Sequence, residues 1–267
     1  MFKISCIQLR STNNIKDNLK KTIDLINKAI YQKTDFIITP EASNIMSLDK
    51  KELEFKIIKK KEKDIYCTSI QQLAKKNKKW ILIGSLITRN INDCIVNRSI
   101  LINPSGKIVK YYDKIHMYDV KLSKKEKYEE SKVFTAGKKI KSYNLPWGKL
   151  GFSICYDLRF PLMYRKLSQL GCSFITVPSA FTLTTGKKHW HSLLKARAIE
   201  NFCYIFAPAQ GGKHANKRKT YGHSIIISPD GKIIKELNSN KEGFITARID
   251  QRLSKRLRLR IPSLNKE

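Results

Sequence analysis

The sequence predicts an α/β fold: a four-layer α-β-β-α sandwich with internal duplication. Three observations carry that expectation. Ser99 to Lys110 (SILINPSGKIVK) is matched by Ser224 to Lys235 (SIIISPDGKIIK), and IITPEAS in the first half answers ITVPSAF in the second. Strand-like and helix-like segments run through the chain twice in the same order. The strand-like runs are nearly continuous Ile, Val and Phe, as in strands buried on both faces, and the helical runs between them carry one apolar stripe each. Two sheets packed face to face with helices outside bury all of these surfaces together.

Taken in order, FKISCIQL alternates as a strand does, and Asn18 to Ile30 places Leu19, Ile23, Ile26 and Ile30 at helical spacing. DFIITPEAS reads as a short buried strand ending at Pro40. Leu73 to Lys78 closes a helix, WILIGSLI is a strand, and RSILINPSGKIVKYYDKIH is a hairpin turning at Asn103-Pro104-Ser105-Gly106. The second half repeats the series. KLGFSICY is a strand, Pro161 to Leu170 a helix stopped by Gly171, SFITVPSAF a strand, His189 to Asn201 a helix, YIFAPAQ a strand and HSIIISPDGKIIKEL a hairpin. Leu122 to Lys141, the most charged and least periodic stretch, reads as a surface excursion between the halves. With no interdomain linker, residues 1–250 form one domain. Residues 251–267 are a basic tail that either packs on a partner subunit or frays.

A chain of 267 residues with 41% hydrophobic content can bury a large core. Its 53 Lys and Arg against 22 Asp and Glu give a formal charge of +31. The excess is Lys scattered among Ile and Asn in every segment, not Arg gathered with aromatics, so it reads as a solvated surface. A polyanion-binding protein is the alternative from another class, and no RRM, KH or helix-turn-helix signature supports it. No nucleic-acid or membrane partner is expected. The six cysteines form no CxxC pair, and no Cys/His spacing matches a zinc site, so neither a metal nor disulfides are expected. MFKISCIQLR is too short and polar for a signal segment, and no apolar run nears the ~20 residues of a membrane span. The expected location is cytoplasmic.

In open α/β sheets, ligands bind beyond the carboxyl ends of strands. That rule selects Glu41, after FIITP, and Cys155, after GFSI. A free thiol has a pKa near ~8.5 and needs a neighbouring base or cation to act as a nucleophile at neutral pH. Pro161 suits the first turn of a helix, which places Cys155 just before a helix N-terminus whose N–H groups could stabilise an oxyanion. The other five cysteines fall mostly in strand or helix interiors. Glu41 is either a loop acid or a paired buried carboxylate, and Lys114, among aromatics, either snorkels to solvent or serves as a cation. Together the three make a nucleophile, a base and a cation.

PEAS with Glu41, YDKIHMYDV with Lys114 and GFSICYDLRFP with Cys155 resemble the three signatures of the nitrilase, or carbon-nitrogen hydrolase, superfamily, in order and across nearly the whole chain. The resemblance implies that Glu41 is general base, that Cys155 attacks an amide or nitrile carbon, and that Lys114 and the Tyr156 backbone N–H stabilise the tetrahedral intermediate. It implies no metal or organic cofactor. A second supporting glutamate is implied in YEESKVFTAG, with Glu130 the better match and Glu129 the fallback.

Pro178 to Ser224 is similar to the Nit branch, which hydrolyses α-keto acid amides, and AQGGKHANKRKTYGHS is closer to the deaminated glutathione amidases than to the ω-amidases. The implied substrate is a small anionic amide: glutathione whose amino group has become a keto group, cleaved to 2-oxoglutarate and cysteinylglycine. ω-Amidase and N-carbamoyl amino acid hydrolase are the alternatives within the enzyme class. Arg159 suits a carboxylate, which guanidinium grips in bidentate fashion, though an ordinary surface ion pair would also account for it. Phe181 and Thr185 are implied contacts to the keto acid end. Relatives in this branch are usually homodimers or larger homo-oligomers. The chain departs from them at Leu162, where they read RFPE, and at Lys188, where they read AHW.

Overall fold

Two six-stranded sheets lie at the centre of the molecule. The structure, a computed structural model, describes residues 1–57, 64–124 and 126–265. One sheet runs Gly243–Ile249, Phe2–Gln8, Phe36–Ile38, Trp80–Arg89, Ile95–Ile102, Ile108–Asp113. The other runs Ile233–Glu236, Ile225–Ile227, Tyr204–Ala207, Cys172–Thr176, Gly148–Phe152, Ser142–Leu145. Each has three parallel strands, one antiparallel strand beside the first of them, and an antiparallel hairpin beside the third. The expected duplication is therefore present in the topology. Beyond each hairpin a strand crosses over: Ser142–Leu145, after the small two-stranded sheet Asp119–Lys121 and Lys127–Glu129, joins the second sheet, and Gly243–Ile249 the first.

The matched hairpins share their bond pattern. Gly106 N donates to Asn103 O at 2.9 Å and Gly231 N to Ser228 O at 2.9 Å. Their φ values of 78° and 82° are open to glycine at little steric cost. The register shifts at the same point, Leu101/Ile102 in one and Ile226/Ile227 in the other.

Strand alternation sorts the layers. On the first sheet, Ile7, Ile37, Ile81, Ile83 and Ile100 pack against Leu19, Ile26 and Ala29 of helix Ile15–Tyr31 and against Tyr66, Ile70 and Ala74 of helix Ile65–Asn77. Phe2, Ile4, Cys6, Phe36, Ile38 and Leu82 face the other way, into the core shared with the second sheet. There Phe2 meets Phe174 edge-on at 5.4 Å and stacks on Trp147 at 4.4 Å. Helices Pro161–Gln169 and Leu183–Asn201 add Tyr164, Leu167, Trp190 and Leu194 to the same cluster. No helix among the described residues is long and apolar enough to cross a membrane.

Three segments differ from their sequence reading. The helix expected from His189 starts at Leu183, because Thr182 Oγ1 accepts from Thr185 N at 3.2 Å and so caps it. Gly186 in its second turn hid that start; a Cβ there would lie 2.3 Å from Tyr221 Cβ, so the helix needs glycine to pass. The Leu122 to Lys141 excursion, whose Lys125 lies outside the described residues, is not wholly superficial: Glu130 and Phe134 turn inward and are buried. In the tail, whose residues 266 and 267 lie outside the description, Leu253–Arg260 is helical. Arg258 Nη2 ties it to its own chain, donating to Ser168 Oγ at 3.1 Å and Asn201 O at 3.2 Å.

Gly84 sits where the two halves approach near Glu41. A Cβ there would fall 1.8 Å from Thr39 O and 2.5 Å from Pro178 Cβ. Gly84→Ala must push main chain apart, so we expect a loss at the upper end of overpacking penalties, about 3 kcal/mol. For a domain of this size that lowers Tm by roughly 6–12 °C; calorimetry checks it, and an unchanged Tm would disprove the close approach.

Candidate active site

Glu41 follows strand Phe36–Ile38 on a tightly held loop. Ser85 N donates to Pro40 O at 3.0 Å, Ala42 N to Ser85 Oγ at 2.7 Å, and Gln210 Nε2, from the other half, to Glu41 O at 2.8 Å. Ala42 has φ 52°, a left-handed conformation that a non-glycine residue adopts only when its surroundings enforce it. Cys155 is constrained in the same way, with φ 48° and its N–H donating to Pro178 O at 3.0 Å. It opens a 3-10 turn, Cys155–Arg159, and the helix begins only at Pro161. The expected helix start is right, but Cys155 stands one 3-10 turn before it and not at its N-terminus.

Lys114 is bonded to the first of these loops and acts on the second through its charge. Its N–H donates to Asn97 O at 2.9 Å, and its Nζ donates to Glu41 Oε1 at 2.9 Å and Glu130 Oε2 at 2.6 Å. Asn97 Nδ2 completes Glu41 at 3.0 Å, and Tyr118 N completes Glu130 at 2.9 Å. Glu41, Lys114, Glu130 and Cys155 are only 3%, 1%, 4% and 6% exposed, so these charges compensate one another out of water. Glu129 points instead to the surface, paired with Lys127 and Lys132. The lysine does not snorkel; it is the centre of the cluster.

The electrostatics follow from this packing. Burial pushes the Cys155 thiol well up, the nearby Glu41 carboxylate pushes it further, and Lys114 only partly opposes them. Burial also works to raise Glu41, but the Lys114 ammonium and the hydrogen bond from Cys155 win and hold it below the usual glutamate value. For Lys114, burial favours the neutral amine, yet Glu130 and Glu41 together keep its pKa raised. At neutral pH the group is thiol, carboxylate and ammonium. Because Glu41 is lowered, its share of the stability is present above the unfolded carboxylate range and is lost as pH falls. Because Lys114 is raised, its share is present below the ordinary 10.5 and is lost as pH rises through the higher folded value.

Asp157 is a residue that the sequence reading quoted but did not single out. Fully buried, it accepts from Ile154 N at 2.9 Å, Tyr112 Oη at 2.6 Å and His116 N at 3.0 Å, with His116 Nδ1 at 2.7 Å. Tyr112 and His116 flank Lys114 two residues to either side. Asp157 thus braces the Cys155 turn against the lysine segment. Asn97 was also missed; its signal was a polar residue inside the apolar strand IVNRSILI. The Ala180 N–H, which bonds the Cys155 sulfur, carries no side-chain signal at all.

Tyr156, Arg159, Phe181 and Thr185 line one narrow cleft of about 10 Å³ over Cys155, together with Tyr118, Ala180, Thr182 and Arg218. The Arg159 guanidinium lies over the rings of Phe181 at 5.6 Å and Tyr156 at 5.9 Å. Its Nη2 is 3.1 Å from His189 Nδ1, which accepts; burial and then the Arg159 charge lower the His189 pKa and keep that nitrogen free. Leu162 and Lys188, the two departures, are exposed. Away from the cleft, His191, His223 and Glu236 are the one group among the described residues whose ligand atoms lie close enough to hold a metal, within 4.8 Å. Glu236 Oε1 already accepts from both imidazoles, at 2.9 and 2.7 Å.

The carbon-nitrogen hydrolase family matches residues 3–258. The deaminated glutathione amidase of Dictyostelium discoideum is 39% identical over 98% of this chain and 92% of its own length. That of Synechocystis sp. is 36% identical over 98% and 97%. Nit3 of Saccharomyces cerevisiae, a solved member of branch 10 of the nitrilase superfamily, superposes with a TM-score of 0.87 at 28% identity, covering 98% of this chain and 94% of that one.

The raised thiol pKa makes a spectroscopic prediction. Thiolate absorbance of the wild type minus that of Cys155→Ala stays flat from about pH 6 to about pH 9, across the ordinary thiol value of ~8.5. A band titrating inside that span would show that burial and Glu41 do not govern the sulfur.

Proposed function

This chain belongs to the carbon-nitrogen hydrolase family, and from that premise we propose that it is a thiol amidohydrolase acting through a Cys155 thioester on a small anionic α-keto acid amide. The observation that carries the reading is the buried Glu41–Lys114–Glu130 cluster against the Cys155 sulfur. As a hydrolase of non-peptide carbon-nitrogen bonds, it needs a base for a thiol that is not ionised at rest, and Glu41 is an ionised carboxylate in contact with it.

In the proposed reaction Cys155 Sγ bonds to the amide carbon as Glu41 takes the thiol proton. The electron pair of the carbonyl moves onto oxygen, where the Lys114 ammonium and the Tyr156 N–H stabilise it. Such a donor is typically worth about 10²–10³ in rate. The buried charge is conserved through the step: before it the cluster holds two carboxylates and one ammonium, and after it one carboxylate, one ammonium and one oxyanion. Once Glu41 is protonated, Lys114 keeps only Glu130 as its anionic partner and turns its charge to the oxyanion. Glu130 is therefore a positioning residue. Collapse expels the amine with the proton from Glu41, and Glu41 then activates water to hydrolyse the thioester.

Deaminated glutathione is the proposed substrate. Arg159, backed by His189 and by the Phe181 and Tyr156 rings, suits the carboxylate of the keto acid end, with Thr185 beside it. The same reading has a cytoplasmic enzyme, supported by six free cysteines. It also has a homo-oligomer, supported by Leu162, Leu170 and Ile199 left exposed on the outer helices.

Cys155→Ala is expected to lose at least about 10³-fold in kcat with its Tm and circular dichroism kept. Mass spectrometry of the wild type, acid-quenched during turnover of deaminated glutathione, α-ketoglutaramate or a carbamoyl amino acid, identifies the acyl group held on Cys155. Undiminished amide hydrolysis by Cys155→Ala would end the proposal, and preferential turnover of either other amide would move the substrate.

A further inference from the structure

Arg218 lines the cleft over Cys155 and also a second, wider opening of about 630 Å³ beside it, walled in part by Leu48, Tyr128, Leu183 and Asn216. The inner cleft, at about 10 Å³, lies far below the roughly 300–1,000 Å³ of a site for a whole small molecule. It has room for about one water, so the leaving half of any larger amide must extend outward past Arg218.

The outer opening has an uneven charge. Lys127 is paired with Glu129 at 3.0 Å; Glu126 accepts from the neutral Tyr128 Oη at 3.1 Å and Thr184 Oγ1 at 3.4 Å and keeps its charge, but Lys217, Arg218 and Lys219 of the same lining outnumber it. Lys217 and Lys219, exposed on the hairpin Gly211–Lys213 and Lys219–Tyr221, enter no ion pair among the described residues. Arg218 between them donates Nη2 to Ala180 O at 2.6 Å and lies 5.0 Å over the Tyr128 ring, while its buried Nε has no hydrogen-bond partner among the described residues. A buried donor left unpaired is costly, and an acceptor arriving with a ligand would satisfy it.

Resting on the amidohydrolase reading above, we propose that this outer opening is a subsite for the leaving-amine half of the substrate and selects amines that carry a carboxylate. Arg218 stands at the join between acyl and amine halves, and Lys217 and Lys219 supply the field that holds the distal anion. Ammonia or a neutral amine as leaving group gains nothing from it. The selection acts on binding and is exerted through solvent-exposed ammonium groups, so it appears in KM and weakens with added salt.

The test compares kcat/KM for deaminated glutathione and for its C-terminal glycinamide, which differ only in the distal charge, in the wild type and in the double variant Lys217→Ser/Lys219→Ser. The wild type is expected to prefer the acid by about tenfold at low salt, since each rim charge contributes up to about fivefold. The double variant is expected to lose most of that preference through KM. Because the ratio is taken within one protein, altered folding does not mimic the result. The same ratio in both proteins overturns the subsite and leaves the amidohydrolase reading intact. Failure of the wild type to cleave either compound overturns the substrate reading and the subsite with it.

Discussion

A lysine ammonium removed from water between two carboxylates is the interaction on which the rest of this site depends. Lys114 Nζ lies 2.9 Å from Glu41 and 2.6 Å from Glu130, with all three side chains at most 5% exposed. None of the three charges would be tolerable alone at that depth. Burial, reinforced by the Glu41 carboxylate and only partly opposed by Lys114, keeps the proton on the Cys155 thiol. The resting protonation pattern is a property of the group, not of any one side chain.

Holding that group takes support from every direction. Asn97 gives its carbonyl to Lys114 and its amide to Glu41. Asp157 fastens the turn after Cys155 to both sides of the lysine segment through Tyr112 and His116. Gln210, far along the chain, holds the Glu41 carbonyl. Ala42 and Cys155 stay in the left-handed region because these bonds leave them no alternative. Strain next to the reacting groups is sustained by hydrogen bonds one layer further out.

The duplicated architecture explains how such distant residues meet. Each half ends by sending a strand into the other half's sheet, so neither sheet is complete without both. The carboxyl ends of the parallel strands then face one another near Gly84, Thr39 and Pro178, where the absence of a side chain at Gly84 lets main chain touch main chain. Glu41 comes from the first half, Cys155 from the second, and Lys114 and Glu130 from the residues just after the first hairpin.

Much of this was legible beforehand, for reasons that are local. Period-two and period-3.6 patterns, the Asn103-Pro104-Ser105-Gly106 turn and its echo at Ser228 to Gly231 depend on neighbouring residues, and a repeated run announces itself by comparison with itself. Glu41, Lys114 and Cys155 could be picked out because reactive side chains at strand ends within apolar sequence are costly unless used. What sequence could not supply were groups whose meaning lies in a partner far along the chain: Asp157 as a brace, Asn97 as a double bridge, the Ala180 N–H at the sulfur, Arg218 between two clefts. The resemblance favoured Glu130 over Glu129, but the physical difference between these adjacent residues of the same type is only which way the folded backbone turns them. Local pattern determined the elements and the candidate site residues; which carboxylate is buried, and what stands behind each charge, was decided only when tertiary packing removed the water.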